Sequence, residues 1–335
     1  MSMRTARLGR SGPIVSVVGL GCMGMSPGVY GPSDEAESMA TLRAAVDAGV
    51  TLLDTGDFYG MGHNEMLIRR ALESVPRSSV VISVTFGPMR DPGWAFLGND
   101  CRPQAVKNFL AYTLRRLGTD YVDIYRPARL DPAVPIEDTV GAIADMVRAG
   151  YVRHVGLSEV GAATLRRAHA VHPICDVQIE YSLMSRGIEA SILPVARELG
   201  VGITAYGVLS RGLLSGSVPA SETQGDIRVV RMPRFARENL DRNLRLVQAL
   251  GDIGRARSAT PAQLAVAWVL SRGDDIVPIV GARRREQLNE SLGALQLSLD
   301  AADVARIEAA VSPALTAGAR YDPAQMAHLD SEAHH

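Results

Sequence analysis

The stretch EAESMATLRAAVDAGVTLLDT, residues 35–55, joins a helical pattern directly to a strand pattern. Apolar residues recur at helical spacing over residues 35–49, and Gly49 marks the end of that pattern. The run VTLLDT (50–55) that follows is apolar and β-branched, as a buried strand requires. A helix followed at once by a strand is the repeating unit of α/β proteins, so we expect further units on both sides.

Eight runs of strand type occur along the chain. They are VVGLG (17–21), VTLLDT (50–55), VVISVT (80–85), YVDIYR (121–126), VRHVGLS (152–158), VQIEY (177–181), GITAYG (202–207) and IVPIVG (276–281). Helical patterns lie between them, including RPQAVKNFLAYTLRRLG (102–118) and PIEDTVGAIADMVRAG (135–150). The alternative is an open doubly wound sheet, but eight strands exceed its usual five or six, and GLGCMG (19–24) lacks GxGxxG spacing. We therefore predict an α/β fold of the (β/α)8 TIM-barrel type, with residues 1–335 forming one domain.

The segments outside the repeating units also carry predictions. RTARLGRSGPIVS (4–16) has the pattern of a β-hairpin with a Gly-Pro turn, placed to plug the bottom of the barrel. A long irregular stretch, 211–238, follows the seventh strand, and GPMRDPGWAFLGND (87–100) follows the third; both belong at the C-terminal face, where barrel enzymes keep their sites. The polar tail from about residue 313 to 335 either covers that face or is disordered.

Composition narrows the class of protein. The net charge of −1 argues against a nucleic-acid surface, and no run approaches the ~18 apolar residues of a membrane span. The N-terminus has no apolar signal core, and Cys22, Cys101 and Cys175 have neither metal-site nor disulfide-framework spacing. We expect a cytoplasmic protein with a small-molecule substrate and no metal, while monomer or homo-oligomer stays open. Lys107 is the only lysine, so any chemistry that needs a lysine has one candidate.

The segment LLDTGDFYGMGHNEMLIRRAL (52–72) resembles the signature of the aldo-keto reductase family, in which a strand-end Asp precedes a Tyr by five residues. Six further blocks resemble the family in the right order over almost the whole chain. They are GLGCMGMS (19–26), DYVDIY (120–125), GYVRHVGLSE (150–159), VQIEYSLMSR (177–186), AYGVLSRGLLSG (205–216) and PIVGARRREQLNES (278–291). The resemblance implies a barrel oxidoreductase that transfers hydride from a nicotinamide cofactor to a carbonyl.

The resemblance also implies how the cofactor binds. Tyr206 corresponds to the aromatic that stacks on the nicotinamide ring, and Ser158 and Gln178 to the groups that hold its carboxamide. Arg283 or Arg284 corresponds to the reader of the 2′-phosphate, which favours NADP(H). The remaining positions implied for cofactor contact are Gly21, Met23, Asp54, Gly207, Leu209, Arg211, Gly212, Gly281, Ala282, Gln287 and Glu290. Gly207 and Ser291 depart from the family pattern, which has Ser and Asn at these two places.

Two of the four catalytic side chains that the family uses are missing. Asp54 and Tyr59 occupy their expected positions, but Thr85 stands at the lysine position and Ala128 at the histidine position. Lys107 lies in the next helical pattern, toward the outside of the barrel, and no histidine occurs between residues 121 and 131. Without a nearby cation, the pKa of the tyrosine has less reason to fall from about 10.

Arg126 is the residue with which we expect the chain to compensate. Side chains alternate along a strand, so Arg126 shares the inward face with Ala128 and is placed to pair with Asp54. The alternative is that Pro127 breaks the alternation and turns Arg126 to the mouth of the barrel. His63 is a second possible proton donor. Trp94, with Phe96, either lines a substrate pocket together with Thr85 and Ala128 or anchors its own loop.

The sequence therefore predicts an NADP(H)-dependent oxidoreductase with an altered catalytic tetrad, in which Asp54, Tyr59 and Arg126 are the candidate catalytic residues. An activated acceptor, such as an enone, an imine or iminium, or a quinone-like ring, needs an acidified tyrosine less than a simple ketone does. Two alternatives stay open: a cofactor-binding regulatory protein with little catalysis, and a non-redox lyase, dehydratase or isomerase that reuses the pocket.

Overall fold

The computed structural model describes residues 3–216, 218 and 226–333, and within them eight parallel strands close into a barrel in chain order. The strands are β1 (Thr5–Arg7), β2 (Ile14–Ser16), β3 (Gly19–Gly21), β4 (Leu52–Gly56), β5 (Val81–Phe86), β6 (Pro88–Arg90), β7 (Phe96–Asn99), β8 (Val122–Pro127), β9 (Val152–Ser158), β10 (Ile174–Glu180), β11 (Gly202–Tyr206) and β12 (Ile276–Gly281). The barrel consists of β3, β4, β5 and β8 to β12, with β12 paired to β3. Each of the eight predicted strands overlaps one of these, so the TIM barrel is confirmed and the doubly wound alternative is wrong.

Helices lie between the barrel strands and cover the outside. They are α1 (Glu35–Asp47), α2 (His63–Ala71), α3 (Pro103–Leu117), α4 (Ile136–Arg148), α5 (Ala162–Val171), α6 (Ile192–Leu199), α7 (Ile227–Arg231), α8 (Arg237–Arg255), α9 (Pro261–Leu270), α10 (Arg285–Gly293), α11 (Ala301–Ala310) and α12 (Pro323–Met326). Local chemistry sets their ends. The Asp34 carboxylate accepts a hydrogen bond from the backbone N–H of Glu37 at the start of α1, and Gly118 adopts a left-handed conformation after α3.

The N-terminal hairpin β1–β2 closes the bottom of the barrel. Leu8 and Val15 are fully buried in a cluster with Leu52, Ile124 and Cys175 from the barrel strands. Gly9 has a positive φ of 69°, and a Cβ at this position would lie 2.2 Å from the carbonyl oxygen of Cys175. Glycine is therefore required for the hairpin to sit so close to the strands, and the predicted plug is present.

Three segments surround the opposite face. The stretch 87–100, which follows the third predicted strand, contains the antiparallel hairpin β6–β7. In the stretch predicted as irregular, 211–238, α7 is followed by the start of α8, while residues 217 and 219–225 lie outside the described residues. The tail after α11 folds back over this face through 333, with Tyr321 and Leu329 buried. In the described ranges, no helix is long and apolar enough to cross a membrane.

Candidate active site

A cavity of about 910 Å³ opens at the C-terminal ends of the barrel strands. Its wall includes all fifteen residues predicted to contact the cofactor: Gly21, Met23, Asp54, Ser158, Gln178, Tyr206, Gly207, Leu209, Arg211, Gly212, Gly281, Ala282, Arg283, Gln287 and Glu290. Tyr59, Thr85 and Ala128 also line it, whereas Arg126 and Trp94 do not. Positions from all eight βα units of the barrel thus meet in one space.

One arm of the cavity has the features that a dinucleotide requires. Arg283 lies just before α10, and its Nη1 donates to the carbonyl oxygen of Tyr30 at 2.9 Å, which fixes the guanidinium in the wall. Arg284 does not line the cavity. A Cβ added at Gly281 would meet no atom within 4 Å, and Gly207 has a positive φ of 65°. The open space at Gly281 leaves room for close approach of a phosphate, and with Arg283 in the wall the residues present fit a nicotinamide dinucleotide.

Asp54 lies within β4 as a buried carboxylate without a neighbouring lysine. Its Oδ2 accepts hydrogen bonds from Oγ of Ser83 at 2.8 Å and from Nε2 of Gln178 at 2.7 Å, and Nη1 of Arg126 lies 3.8 Å away. Burial raises the pKa of Asp54 to about 6, although Arg126 and the two hydrogen bonds oppose this rise. The amide nitrogen of Gln178, predicted to hold the nicotinamide carboxamide, is engaged with Asp54 in this structure.

Tyr59 lies in the same wall with Thr85 as a hydrogen-bond partner. Burial and the charge of Asp54 raise the pKa of Tyr59 above its ordinary value, and the hydrogen bond with Thr85 and the charges of Arg129 and Arg211 only partly oppose them. The proton therefore stays on Tyr59 at neutral pH. This state is the opposite of a tyrosine acidified by a neighbouring ammonium group.

The other candidate proton donors lie away from the cavity. Lys107 is on α3, where its Nζ is 3.0 Å from the exposed Asp145. His63 begins α2, with Nδ1 2.9 Å from Oγ of Ser26 and Nε2 3.2 Å from a carboxylate oxygen of Glu35. Neither residue lines the cavity, so neither replaces the missing side chains there.

Arg126 points into the barrel, as strand alternation predicts, and not to its mouth. The side chain is closed to solvent, and its Nη2 lies 2.9 Å from Oδ2 of Asp176 on β10. Asp54 is the more distant partner, at 3.8 Å. Since the guanidinium does not reach the cavity wall, Arg126 cannot touch a substrate there. The structure therefore corrects its predicted catalytic role to that of a residue beneath the site.

Trp94 also requires a correction. The residue is 42% exposed and has a positive φ of 71°, and its ring lies close to Gly28, where a Cβ would be 3.0 Å from Cζ3. The left-handed backbone turns the indole outward from the β6–β7 hairpin. Ala95 and Phe96 line the cavity in its place. Phe96 therefore fits the first interpretation that the sequence left open, a residue lining the pocket, and Trp94 fits the second, a residue anchoring its own loop.

Sequence reasoning missed the contribution of the tail. Arg320 is buried and forms an ion pair with Glu159 at 2.6 Å, while the hydroxyl of Tyr321 lies 3.0 Å from that of Tyr206. The Tyr206 hydroxyl in turn donates to Glu159 at 2.6 Å. Burial alone would raise the pKa of Glu159, but Arg320 outweighs it and holds that pKa well below its usual range. Contacts across more than 100 residues have no local sequence signal.

Arg129 was the second omission. It follows Ala128 directly after β8 and lines the cavity. The sequence places this arginine just after a strand, but strand alternation indicated only Arg126 and Ala128 as inward-facing residues. The Arg129 guanidinium acts electrostatically on Tyr59, which places a cation at the end of the cavity where the catalytic residues were predicted.

The fold and this cavity define a barrel enzyme whose site is built from βα loops, with one arm shaped for a dinucleotide. The sequence profile of the aldo/keto reductase family matches residues 17–312. A soybean (Glycine max) protein described as probable aldo-keto reductase 1 is 39% identical over 319 residues, covering 95% of this chain and 92% of the relative. The chain therefore belongs to the aldo-keto reductase family, a family of oxidoreductases that use nicotinamide cofactors.

Solved structures agree with this assignment. The glycerol dehydrogenase of Gluconobacter oxydans superposes with a TM-score of 0.83 at 27% identity, covering 93% of this chain and 97% of that one. The holo form of an aldo-keto reductase from Bacillus halodurans gives 0.78 at 25% identity, with coverage of 93% and 97%. A thermostable aldo-keto reductase in complex with the inhibitor epalrestat gives 0.75 at 28% identity, with coverage of 92% and 100%.

Proposed function

We propose that this chain is an NADP(H)-dependent oxidoreductase with an altered catalytic tetrad, which reduces an activated small molecule and not a simple ketone. The observation that carries the proposal is the state of Tyr59. It lies in the cavity beside Thr85, with a pKa raised by burial and by Asp54, while the residues implied for cofactor contact line the same cavity. Loss of proton delivery without loss of nucleotide contacts favours an acceptor that needs little help from an acid.

The acceptor class follows from where negative charge develops. When bound, the cofactor supplies a hydride, and a simple ketone then needs a proton on oxygen as the alkoxide forms. A positioned general acid contributes about 10²- to 10⁴-fold to such a step. An iminium already carries the positive charge, and an enone or a quinone spreads the negative charge over several atoms. In these cases Tyr59, which keeps its proton, donates a hydrogen bond and the final proton comes from solvent.

The preference for NADP(H) rests on Arg283. Its guanidinium is half-buried in the cofactor arm, and its Nη1 is fixed by the carbonyl oxygens of Tyr30 and Pro32 at 2.9 and 3.2 Å. These neutral partners leave its charge uncompensated, as a 2′-phosphate reader requires. Burial and the neighbouring Arg228 lower the pKa of Arg283. An incoming phosphate dianion would raise that pKa again, because a nearby negative charge favours the charged guanidinium.

The experiment has two stages. NADPH and NADH are first titrated by fluorescence into the wild type, Arg283→Ala and the exposed surface control Arg255→Ala, and only Arg283→Ala should weaken NADPH binding toward that of NADH. NADPH oxidation is then followed with a ketone, an enone, an iminium and a quinone. We expect turnover with one or more activated acceptors and little with the ketone. Tight NADPH binding without any turnover would instead support a regulatory protein, and no binding would support a non-redox enzyme.

A further inference from the structure

Arg129 differs in its partners from Arg211 and Arg228, two other arginines in the cavity wall. Its Nη1 donates to the carbonyl oxygen of Ala128 at 2.5 Å, and within the described residues no carboxylate oxygen lies within 4 Å of its guanidinium. Arg228, by contrast, pairs with Asp226 at 2.6 Å, and Arg211 lies 3.9 Å from Glu180. Arg129 is thus a cation in the cavity wall with no anion supplied by the described part of the chain.

The charges that surround Arg129 do not neutralise it. Glu159 acts on it electrostatically, but the carboxylate of Glu159 is already bound by Arg320 at 2.6 Å. Tyr206 and Tyr321 also act on it electrostatically, and neither side chain is a carboxylate. A buried or half-buried cation without a counter-ion is costly, so the site gains from an anion that arrives with a ligand.

The position of Arg129 separates it from the nucleotide arm. It follows β8, on the side of the cavity formed by Tyr59 and Thr85, whereas Arg283 and Gln287 follow β12. In the closed barrel, β8 and β12 are four strands apart in either direction, hence on opposite sides. An anion at Arg129 therefore belongs to the second ligand and not to the adenosine end of the cofactor.

The side chains around Arg129 indicate the chemical character of the rest of that ligand. Apolar surfaces from Phe58, Pro88, Ala95 and Phe96 line the same side of the cavity. Ala128 contributes only a methyl group where the family pattern has a histidine, so the space above Thr85 is wide. An acceptor with an apolar or conjugated body and one negative group matches this combination.

We propose that the acceptor is a carboxylic acid, whose carboxylate is bound by Arg129 while its conjugated carbonyl lies beside Tyr59. A planar guanidinium binds a planar carboxylate through two parallel hydrogen bonds, which also fixes the orientation of the ligand. This inference rests on the proposed function for the reducing step, but the binding of the acid does not require turnover. In the reaction the acceptor gains a hydride from NADPH and one proton from solvent, and the carboxylate is unchanged.

The test compares trans-4-oxo-2-pentenoate with its methyl ester, which has the same enone without the charge. Both are titrated by calorimetry into the NADP⁺ complex of the wild type, Arg129→Gln, Arg129→Lys and the surface control Arg148→Gln. We expect the wild type to bind the acid about 10- to 100-fold more tightly than the ester. Arg129→Gln should lose that preference without weakening ester binding, Arg129→Lys should keep part of it, and Arg148→Gln should keep all of it.

Two results would overturn the proposal: equal binding of acid and ester by the wild type, or an acid preference that survives in Arg129→Gln. If Arg129→Gln does not fold, the wild-type comparison and Arg129→Lys still decide the question. Turnover adds a second readout, because loss of the anion site should raise KM for the acid by a larger factor than KM for the ester. Preferential acid binding without NADPH oxidation would reject the proposed function alone, whereas turnover of the ester with no acid preference would reject only this inference.

Discussion

Nη2 of Arg126 lies 2.9 Å from Oδ2 of Asp176 in the centre of the barrel, and both side chains are closed to solvent. Gly156 leaves space for this pair, because a Cβ at that position would be 2.9 Å from Nε of Arg126 and 2.6 Å from Oδ1 of Asp176. Glycine on β9 therefore makes room for a guanidinium between β8 and β10. The hydroxyl of Thr204 also donates to Asp176, so the carboxylate is held from two sides.

Breaking this pair should cost much more than replacing both of its members. Arg126→Met leaves the Asp176 carboxylate buried without a cation, and Asp176→Asn leaves the guanidinium with only Asp54 as a more distant partner. Each single change should lower the free energy of unfolding by about 3–5 kcal/mol. The double variant should recover most of that loss, because the two charges are removed together and neither is left buried without the other. Urea unfolding of the four proteins gives the coupling energy directly.

A double variant as unstable as the sum of the two single variants would contradict this account of the pair. Arg148→Met is the matched control, since Arg148 pairs with Asp145 on the surface with most of its side chain in water. Its loss should stay within about 1 kcal/mol, as exposed pairs do.

The same pair shows which features of the fold the sequence predicts and which it does not. Strand alternation predicts that Arg126 faces the interior, because the two-residue period is a local property of any strand. It does not predict Asp176, which lies 50 residues further along on β10 and meets Arg126 past β9, the strand between β8 and β10. Glu159 and Arg320 are a stronger case, since the tail that brings them together has no periodic signal. Local pattern thus predicts the eight strands, and the family resemblance predicts the residues of the cavity wall, while the ion pairs that tune the site depend on closure of the fold.

Asp54 should make stability depend on pH in the direction opposite to that of a salt-bridged carboxylate. Its pKa rises from 3.8 to about 6 in the folded state, mainly through burial. A raised carboxyl pKa gives stability that is fully present below 3.8 and is lost as the pH rises through 6. Each unit of difference between the folded and unfolded pKa is worth about 1.4 kcal/mol, so the change amounts to about 3 kcal/mol.

Asp54→Asn removes this titration and keeps an acceptor for Ser83. The wild type should therefore lose about 3 kcal/mol relative to Asp54→Asn between about pH 4 and pH 7. Urea unfolding of both proteins at four pH values measures the difference, from which all other titrating groups cancel. A difference that stays constant over this range would show that Asp54 is ionised with an ordinary pKa. Asp145→Asn, on the surface, serves as the control and should give a flat difference.

Restoring the missing pair should restore chemistry on ordinary carbonyls. Thr85→Lys places an ammonium group next to Asp54 and Tyr59, and Ala128→His returns an imidazole to the cavity wall. The pKa of Tyr59 should then fall, because a nearby cation favours the phenolate. We expect kcat/KM for a simple ketone to rise by about 10²- to 10⁴-fold in the double variant. Its pH profile should also gain a decline at high pH, where the acidified tyrosine loses its proton.

The control for this gain is Thr85→Met with Ala128→His, which matches the length of lysine without its charge. Steady-state oxidation of NADPH with the ketone measures both variants. Equal rates in the two would show that the ammonium group is not what the site lacks, and that the high pKa of Tyr59 does not limit ketone reduction.

Arg320 should be the contact that holds the tail on the barrel. Nη2 of Arg320 lies 2.6 Å from Oε2 of Glu159, and its Nη1 lies 3.5 Å from Oε2 of Glu180. Although burial raises the pKa of Glu159, Arg320 keeps that pKa below its usual value. A depressed carboxyl pKa gives stability that is present above the unfolded value of 4.5 and is lost as the pH falls below it. Arg320→Met should therefore cost about 3–5 kcal/mol at neutral pH and less at pH values near 5, where Glu159 can take up a proton.

Urea unfolding at the two pH values, together with limited proteolysis of the tail, measures this effect. The released tail should be cut faster in Arg320→Met than in the wild type, because Tyr321 and Leu329 lose their buried positions. Arg255→Met removes an exposed arginine paired with Asp252 and should change neither measurement. A loss of stability that is the same at both pH values would mean that Arg320 stabilises the fold by packing and not by its charge on Glu159.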